Sequence, residues 1–440
     1  MENIPSLSQV LKTLFFEVAT QLAKEQNVIK RERCFSATSL LLVLVLGWLQ
    51  HPLAGPSQLA RFAHTVGVRV SKQAIAERLS EKTAHWLRCV LEAAVSTILF
   101  ASSQTQGLLA RFPAVILEDA SSVRLPDALA FLWKGNGGSG PLSSVKLGVR
   151  WDIRSGQLQG PLLQDGKSHE THNPVHALSL PVGGVWIGDA GYYCLHFLRQ
   201  LASAGIFFVT RPRGNLAVST LDGQRFSLAP YLRQQTGKVI DLSVRLGSIP
   251  ALWLPARLLA LPVSPEIAEQ RRAHLREKAK SQGHVPSAEA LALADWNLIV
   301  TNIPTTLLQA QEVLLLYRAR WQIELLFKLW KSHGHVDEWT SCIPEHILCE
   351  FSAKLLAMLV EHWILLESCW DDPHRSWMMS ADLLRDQVSL LLQGLRGRLP
   401  LDQVLVLIHE SLAANASIPA RTTRPSTSHQ LLDGVYWGLT

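Results

Sequence analysis

Two short apolar runs, Ala114-Val-Ile-Leu-Glu-Asp119 and Gly184-Val-Trp-Ile-Gly-Asp189, constrain the fold of this chain more than any other feature. Each is a nearly continuous apolar stretch of strand length that closes on an aspartate, the signature of a buried strand. Residues 145–153, 157–163 and 205–210 supply further strand candidates, and 193–204 reads as a helix. Three strands in succession, followed by strands alternating with helices, predict an α/β layer built on a mixed sheet.

Other segments flank or interrupt that layer. Residues 6–50 and 85–110 carry helical periodicity. Between them, Ser57-Gln-Leu-Ala-Arg-Phe-Ala63, Gly67 and Ser71-Lys-Gln-Ala-Ile-Ala-Glu-Arg-Leu79 outline two short helices around a glycine turn. This is either a helix-turn-helix offering Lys72, Gln73 and Arg78 to a groove, or an ordinary helical hairpin. Residues 212–304 read as a β-rich insertion, with strands near 217–227, 237–245 and 251–260, a charged helix over 267–279 and a last strand at 297–301. Helices are expected from 307 to about 332, then over 344–370, 378–396 and 401–414, with a loose tail beyond 415. The expected division is a helical region 1–110, a first core segment 111–211, the insertion 212–304, a helix completing the core at 305–335 and a helical region 336–440.

Hydrophobic content of 48% and charged content of 18% describe a globular chain. The longest apolar run, residues 40–49, is about half of what spans a bilayer, so it predicts a buried helix and no membrane partner. No basic segment followed by an apolar stretch opens the chain, which argues against a secretory signal. Cysteines at 34, 89, 194, 342, 349 and 369 form no C-x-x-C pair, as suits a reducing cytoplasm and no structural zinc. Charge is uneven: residues 1–110 hold eleven Lys/Arg against seven acids, 205–260 seven against two, and 333–440 seven against thirteen. The first two regions would attract a polyanion and the third would repel it.

A third carboxylate joins the two aspartates. Glu324 lies in Tyr317-Arg-Ala-Arg-Trp-Gln-Ile-Glu-Leu-Leu-Phe-Lys-Leu-Trp-Lys331, where Tyr317, Arg320, Glu324 and Lys331 fall on one helical stripe. Leu316, Ile323, Leu326, Phe327 and Trp330 supply the packing face. A solvated face with an Arg320–Glu324 pair worth about 0.3 kcal/mol would explain the stripe alone. Three carboxylates from two strand ends and a helix are also what a pair of hard divalent cations needs for phosphodiester chemistry.

The stripe resembles the Tyr-x2-Arg-x3-Glu-x6-Lys signature of IS4-type DDE transposases, with all four types in place. Val115-Ile-Leu-Glu-Asp-Ala-Ser-Ser122 and Trp186-Ile-Gly-Asp-Ala-Gly-Tyr192 are similar to that family's first and second aspartate segments. Thr301-Asn-Ile-Pro304 is similar to the segment that ends its insertion. The likeness covers about residues 110–335. It implies a ribonuclease-H-like mixed sheet with a β-rich insertion and helical flanks. It implies a DNA transposase that cuts at element ends and joins 3′-ends to target DNA, using two Mg²⁺ (or Mn²⁺) held by Asp119, Asp189 and Glu324. The implied partners are the terminal inverted repeats, target DNA and a second copy of the chain, at the bacterial nucleoid.

Within that expectation Tyr317, Arg320 and Lys331 suit phosphate oxygens. Lys146 and Arg150, at alternating strand positions, are further candidates for phosphate, or else a solvated face. Trp253 is a candidate for stacking a flipped base, or else a core residue. Glu118 adjoins Asp119, and neighbours on a strand face opposite sides, so only one can serve; the small hydroxyl residues after it favour Asp119. His169-Glu-Thr-His172 and His333-Gly-His335 lack zinc spacing and read as loop histidines. Two other readings compete: a transposase-derived DNA-binding protein without cleavage, and a metal-free two-carboxylate hydrolase, which leaves the polar stripe unexplained.

Overall fold

The computed structural model describes the chain except residues 1–2, 30–33, 98, 100–106, 139, 170–175, 177–178, 214–215, 236–238, 371, 373, 418–425 and 434–440. Its centre is the expected α/β layer. β1 (Val115–Leu125), β2 (Ser143–Asp152) and β3 (Leu158–Asp165) form an antiparallel meander. On the other side of β1 lie β4 (Val185–Gly188) and β5 (Phe207–Thr210), both parallel to it.

The residues expected to interrupt this layer extend its sheet instead. They contribute β6 (Val218–Ser219), β7 (Ile240–Leu246), β8 (Leu254–Pro262) and β9 (Trp296–Thr301). The nine-stranded order is β3-β2-β1-β4-β5-β9-β8-β7-β6. β9 makes the junction, pairing antiparallel with β5 on one side and β8 on the other, so β5 is not left as an open edge. Asn302 secures it: its side chain accepts the Phe208 N–H at 2.8 Å and donates to the Ile206 carbonyl at 3.1 Å, continuing the ladder past the last strand residue. The fold is ribonuclease-H-like, an α/β mixed sheet with helical flanks.

Strand alternation sends the two faces of the sheet to different cores. Val115, Leu117, Val185 and Ile187 join the larger core, shared with the N- and C-terminal helices. Trp186, Phe208 and Leu258 face a second core, closed by Leu198 and Leu201 of the helix after β4. The apolar run at 40–49 lies in α1 (Ala37–Gln50), buried from Leu40 to Leu49, and starts with a Ser36–Ser39 capping box. Among the described residues no helix is long and apolar enough to cross a membrane.

α2 (Pro56–Thr65) and α3 (Lys72–Arg78) form the anticipated pair, turning at Gly67 with φ +84°. Lys72 and Gln73 are exposed and Arg78 is half-buried. α4 (Glu81–Val95) and the long α5 (Pro344–Cys369) pack together behind the sheet. A buried Lys354–Glu350 pair at 2.8 Å stands on α5. Lys354 Nζ also donates to the carbonyls of His335 and Glu338, at 3.0 and 2.8 Å, and so pins the segment that leaves the Glu324 helix.

Candidate active site

The register of β1 and β4 brings the two aspartates together. Val115 pairs with Val185 and Leu117 with Ile187. The same offset carried two residues on sets Asp119 beside Asp189 on the same face. Asp189 follows the end of β4, but β1 continues past Asp119 to Leu125, so the first aspartate lies within its strand and not at the end expected for it. Asp119 Oδ1 accepts the Ala120 N–H at 2.8 Å, and Asp189 Oδ1 accepts the Gly191 N–H at 2.6 Å, capping the turn Ala190–Tyr192. Each aspartate has one oxygen fixed by its own backbone.

The Tyr317–Lys331 segment is not one continuous helix. α6 (Ala310–Arg318) ends after Tyr317, and α7 (Trp321–Ser332) starts after Arg320. Tighter bonds bridge the junction, Arg320 N–H to the Tyr317 carbonyl and Ile323 N–H to the Arg320 carbonyl, at 3.1 and 3.2 Å. Arg320 therefore stands at the corner between helices. One of its nitrogens lies 2.5 Å from Glu324 Oε1 and another 3.6 Å from Asp119 Oδ2. Glu324 sits in the first turn of α7, where the helix dipole favours its charge. At the far end Lys331 Nζ donates to the Ser122 carbonyl at 2.9 Å, tying α7 along β1.

The electrostatics report the same convergence. The Asp119 carboxyl is raised to about 7, chiefly by burial and also by the charges of Asp189 and Glu324, against the opposing Ala120 N–H and Arg320. Burial also raises the Tyr317 phenol, whose charged neighbours are Arg320, Arg211 and Asp189. Tyr317, Arg320 and Glu324 thus meet the two aspartates, while Lys331 reaches β1 three residues beyond Asp119. No three His, Cys, Asp or Glu side chains among the described residues close on one point as a single-ion cage. Instead the carboxylates are arranged as neighbours of Asp119, with Arg320 between Asp119 and Glu324. The donors are all hard carboxylate oxygens, and their mutual repulsion is what a divalent cation relieves, so the set fits a hard divalent cation.

Glu118 faces the other way. It is fully buried and bound by Arg150 Nη2 at 3.0 Å, Trp186 Nε1 at 3.0 Å and His176 Nδ1 at 2.7 Å. Burial alone would raise its carboxyl, but His176, Arg150 and Trp186 together hold it below the usual range. This corrects the expectation for Arg150. Its side chain is 1% exposed and neutralises Glu118 inside the protein, so no phosphate reaches it. Lys146 pairs across β1–β2 with Ser122, on Glu118's side of the alternation, and its Nζ donates to the Ser168 carbonyl at 2.5 Å. Neither residue faces the three carboxylates.

Trp253 is also displaced from its expected place. The Leu254–Leu246 pair puts it at the start of β8, whereas the strand pairings set Leu258 level with Thr210 at the end of β5. Five residues of strand, about 17 Å, separate those levels. Its indole donates to the Gly247 carbonyl at 3.1 Å, and Arg245 stacks 5.0 Å from the ring. Trp296, at the opposite end of the β8–β9 ladder, lines a cavity of about 570 Å³ together with Arg211, Arg213, Arg271 and His274. That cavity adjoins the site, since Arg213 donates to the carbonyls of Ala190 and Gly191 at 3.0 and 2.6 Å. Arg211 and Arg213 follow directly on β5, the same signal that exposed the aspartates, and were legible only as part of a basic segment. Trp321, next to Arg320, is 56% exposed. His333 and His335 pair with Asp382 and Glu338 at 3.0 and 2.8 Å rather than with each other. His169 lies 3.4 Å from Arg213, and His172 is outside the described residues.

With this geometry in hand, a family model described as "Transposase DDE domain" matches residues 110–360. The chain belongs to the DDE transposase family. The transposase for insertion sequence element IS231F of Bacillus thuringiensis subsp. israelensis is 24% identical, over 93% of this chain and 91% of that one. The transposase for IS231C of Bacillus thuringiensis subsp. berliner is 25% identical, over 90% and 88%. The transposase for IS1151 of Clostridium perfringens is 22% identical, over 83% and 82%. These likenesses span nearly the whole chain, helical flanks included. A DDE transposase is an enzyme that acts on DNA and depends on a divalent metal.

Proposed function

We propose that this DDE transposase cuts at the ends of an insertion sequence and joins the 3′-ends to target DNA through Asp119, Asp189 and Glu324. The observation that carries the reading is the β1–β4 register, which sets Asp119 beside Asp189, with Arg320 linking Asp119 to Glu324. Two Mg²⁺ held by these carboxylates would supply the acidity that activates water or a 3′-hydroxyl and stabilises the leaving 3′-oxygen. Asp119, the neighbour of both other carboxylates, would hold metal together with each of them.

The surrounding side chains bind and orient the strand. Arg320 turns from the carboxylates to a phosphate once cations neutralise them, using its planar fork. Lys331 places a second positive charge along β1, and Tyr317 presents a phenol that burial keeps protonated. A base displaced from the duplex finds an aromatic face at Trp296, with Arg211 and Arg213 beside it for its phosphate. Exposed Trp321 is placed to fill the gap in the stack. The exposed polar face of α2 and α3 is the candidate reader of the terminal inverted repeats, and a homodimer on paired ends, at nucleoid DNA, is the working assembly.

The test is cleavage of duplex DNA bearing the element's terminal repeats, with Mg²⁺, Mn²⁺ or EDTA. Asp119→Ala, Asp189→Ala and Glu324→Ala should each abolish cutting while end binding persists. Activity in EDTA, or full activity in any of the three variants, would overturn the assignment.

A further inference from the structure

The β1–β2 hairpin ends in a long tip, residues 126–142, which the site described above does not use. Phe131 at the tip is 79% exposed and Leu142 is 55% exposed, although Leu129 and Trp133 on either side of Phe131 are 0% and 9% exposed. The exposure is built into the turn. The Leu129 carbonyl accepts the N–H groups of Leu132 and Trp133, both at 3.0 Å, and Gly135 N–H bonds the Leu142 carbonyl at 2.8 Å. Ser143 Oγ donates to the Trp133 carbonyl at 2.9 Å, and the Arg88 guanidinium of α4 lies 5.8 Å from the Trp133 ring. Phe131 is therefore held out into solvent between two anchored neighbours.

Charge and position indicate what would cover it. Arg124, Lys134 and Lys167 are exposed around the tip, and Asp127 is the one acid within residues 126–142. Lys167 is fixed there by its N–H bond to the Lys134 carbonyl at 3.2 Å. β1 runs six residues from Asp119 to Leu125 in the direction of the tip, which is about 20 Å, or about six base pairs of duplex. The tip thus extends the same end of the sheet that carries the carboxylates.

We propose that the tip is a wedge that inserts Phe131 between base pairs of the target duplex, about six base pairs from the joining point, and bends it toward the carboxylates. An exposed apolar ring on a tip whose exposed charges are mostly positive fits a polyanion with a stacked interior, and an inserted ring kinks a duplex at its deformable steps. The target is favoured over the element's own end because an inserted ring stacks on any base step and the tip's cations can pair with phosphates, which carry no sequence. Such a contact tolerates any sequence, whereas an element end must be recognised by its sequence.

This inference rests on the proposed DNA-joining function, and its test separates the two. Full-length wild-type, Phe131→Ala and Phe131→Trp chains are given a pre-cut element end and a duplex target carrying 2-aminopurine near the sixth base pair. Phe131→Ala should cut element ends at the wild-type rate but join to intact duplex about tenfold more slowly, and a target with a mismatched, easily kinked step should restore joining. Phe131→Trp should retain it. The 2-aminopurine signal should rise on binding wild-type protein, with or without metal, and stay flat with Phe131→Ala. Equal joining by Phe131→Ala, or equal loss of cutting and joining, overturns the wedge. Failure of the wild-type to cut with metal overturns the catalytic reading, and the fluorescence arm still decides the wedge.

Discussion

Glu118 and Asp119 are consecutive in β1 and face opposite sides of the sheet, one closed into a buried ion-pair network and the other open beside Asp189 and Glu324. Glu118 anchors the strand from behind: its bonds to Arg150 on β2 and Trp186 on β4 fix the register that sets Asp119 in place. A slip of one residue would exchange the two acids.

Substitution should therefore separate them. Glu118→Ala leaves Arg150 buried without its counter-charge and should cost about 3 kcal/mol or more of stability. Asp119→Asn removes a strained charge and should leave stability unchanged or higher, while cleavage falls by more than about 1000-fold. Urea unfolding together with a cleavage assay checks both. A folded Glu118→Ala protein of wild-type stability would refute the anchor role.

What was legible in the sequence follows from how far each signal reaches. The apolar runs and their terminal aspartates are local patterns, so the strands and the side-chain alternation could be read directly. The Tyr317–Lys331 spacing was legible for the same reason, although the helix break at Arg320 was not; no glycine or proline marks it. Arg150 and Lys146 could be placed on a strand but not on a face, because the face depends on pairing with Glu118 and Ser122 from another strand. Trp253 and Trp296 look alike as sequence. Only the β8–β9 register, a contact between distant segments, sets one near the site and the other at the far end.

Acid should stabilise the metal-free enzyme through Asp119. Its carboxyl is raised to about 7 by burial and by neighbouring charge, against about 4 when unfolded. Between those values the folded chain holds a proton that the unfolded chain releases, so this contribution to stability is lost as pH rises toward 7. Buried Glu361, also raised to about 7, adds the same slope, and His362, lowered to about 4 by burial, adds the opposite one at lower pH. The informative quantity is the difference between wild-type and Asp119→Asn. In EDTA, the wild-type Tm should fall more than the variant's between about pH 5 and pH 7.5. Parallel curves would show that Asp119 is not held protonated.

Arg320 has a different signature. While it bridges Asp119 and Glu324 it opposes their repulsion, and with metal and DNA present it is free to take a phosphate. Arg320→Ala should weaken end binding and lower the salt dependence of log K by about one counterion. Arg320→Lys should recover the charge but not the two-carboxylate span, restoring part of the binding and little of the cleavage. Binding titrations across a salt series check this; an unchanged slope in Arg320→Ala would mean that no phosphate contact is made.

The two tryptophans offer the sharpest contrast. Trp296 lies against a cavity of about 570 Å³ with Arg211, Arg213 and Arg271 around it, room enough for one nucleotide. Trp253 is held by the Gly247 carbonyl and by Arg245, about 30 Å from Trp296 along the strand direction. If a nucleotide leaves the duplex during cutting, its base can stack on Trp296 and not on Trp253. Trp296→Ala should slow the cleavage step by about 10–100-fold, in line with the loss of one base–aromatic stack. An abasic nucleotide at the displaced position should make Trp296→Ala and wild-type equal, because no base remains to be held. Trp253→Ala should lose the Arg245 contact and some stability while cutting at the wild-type rate. The reverse pattern, with cutting sensitive to Trp253 and indifferent to Trp296, would require the β6–β8 region to swing across the site when DNA binds.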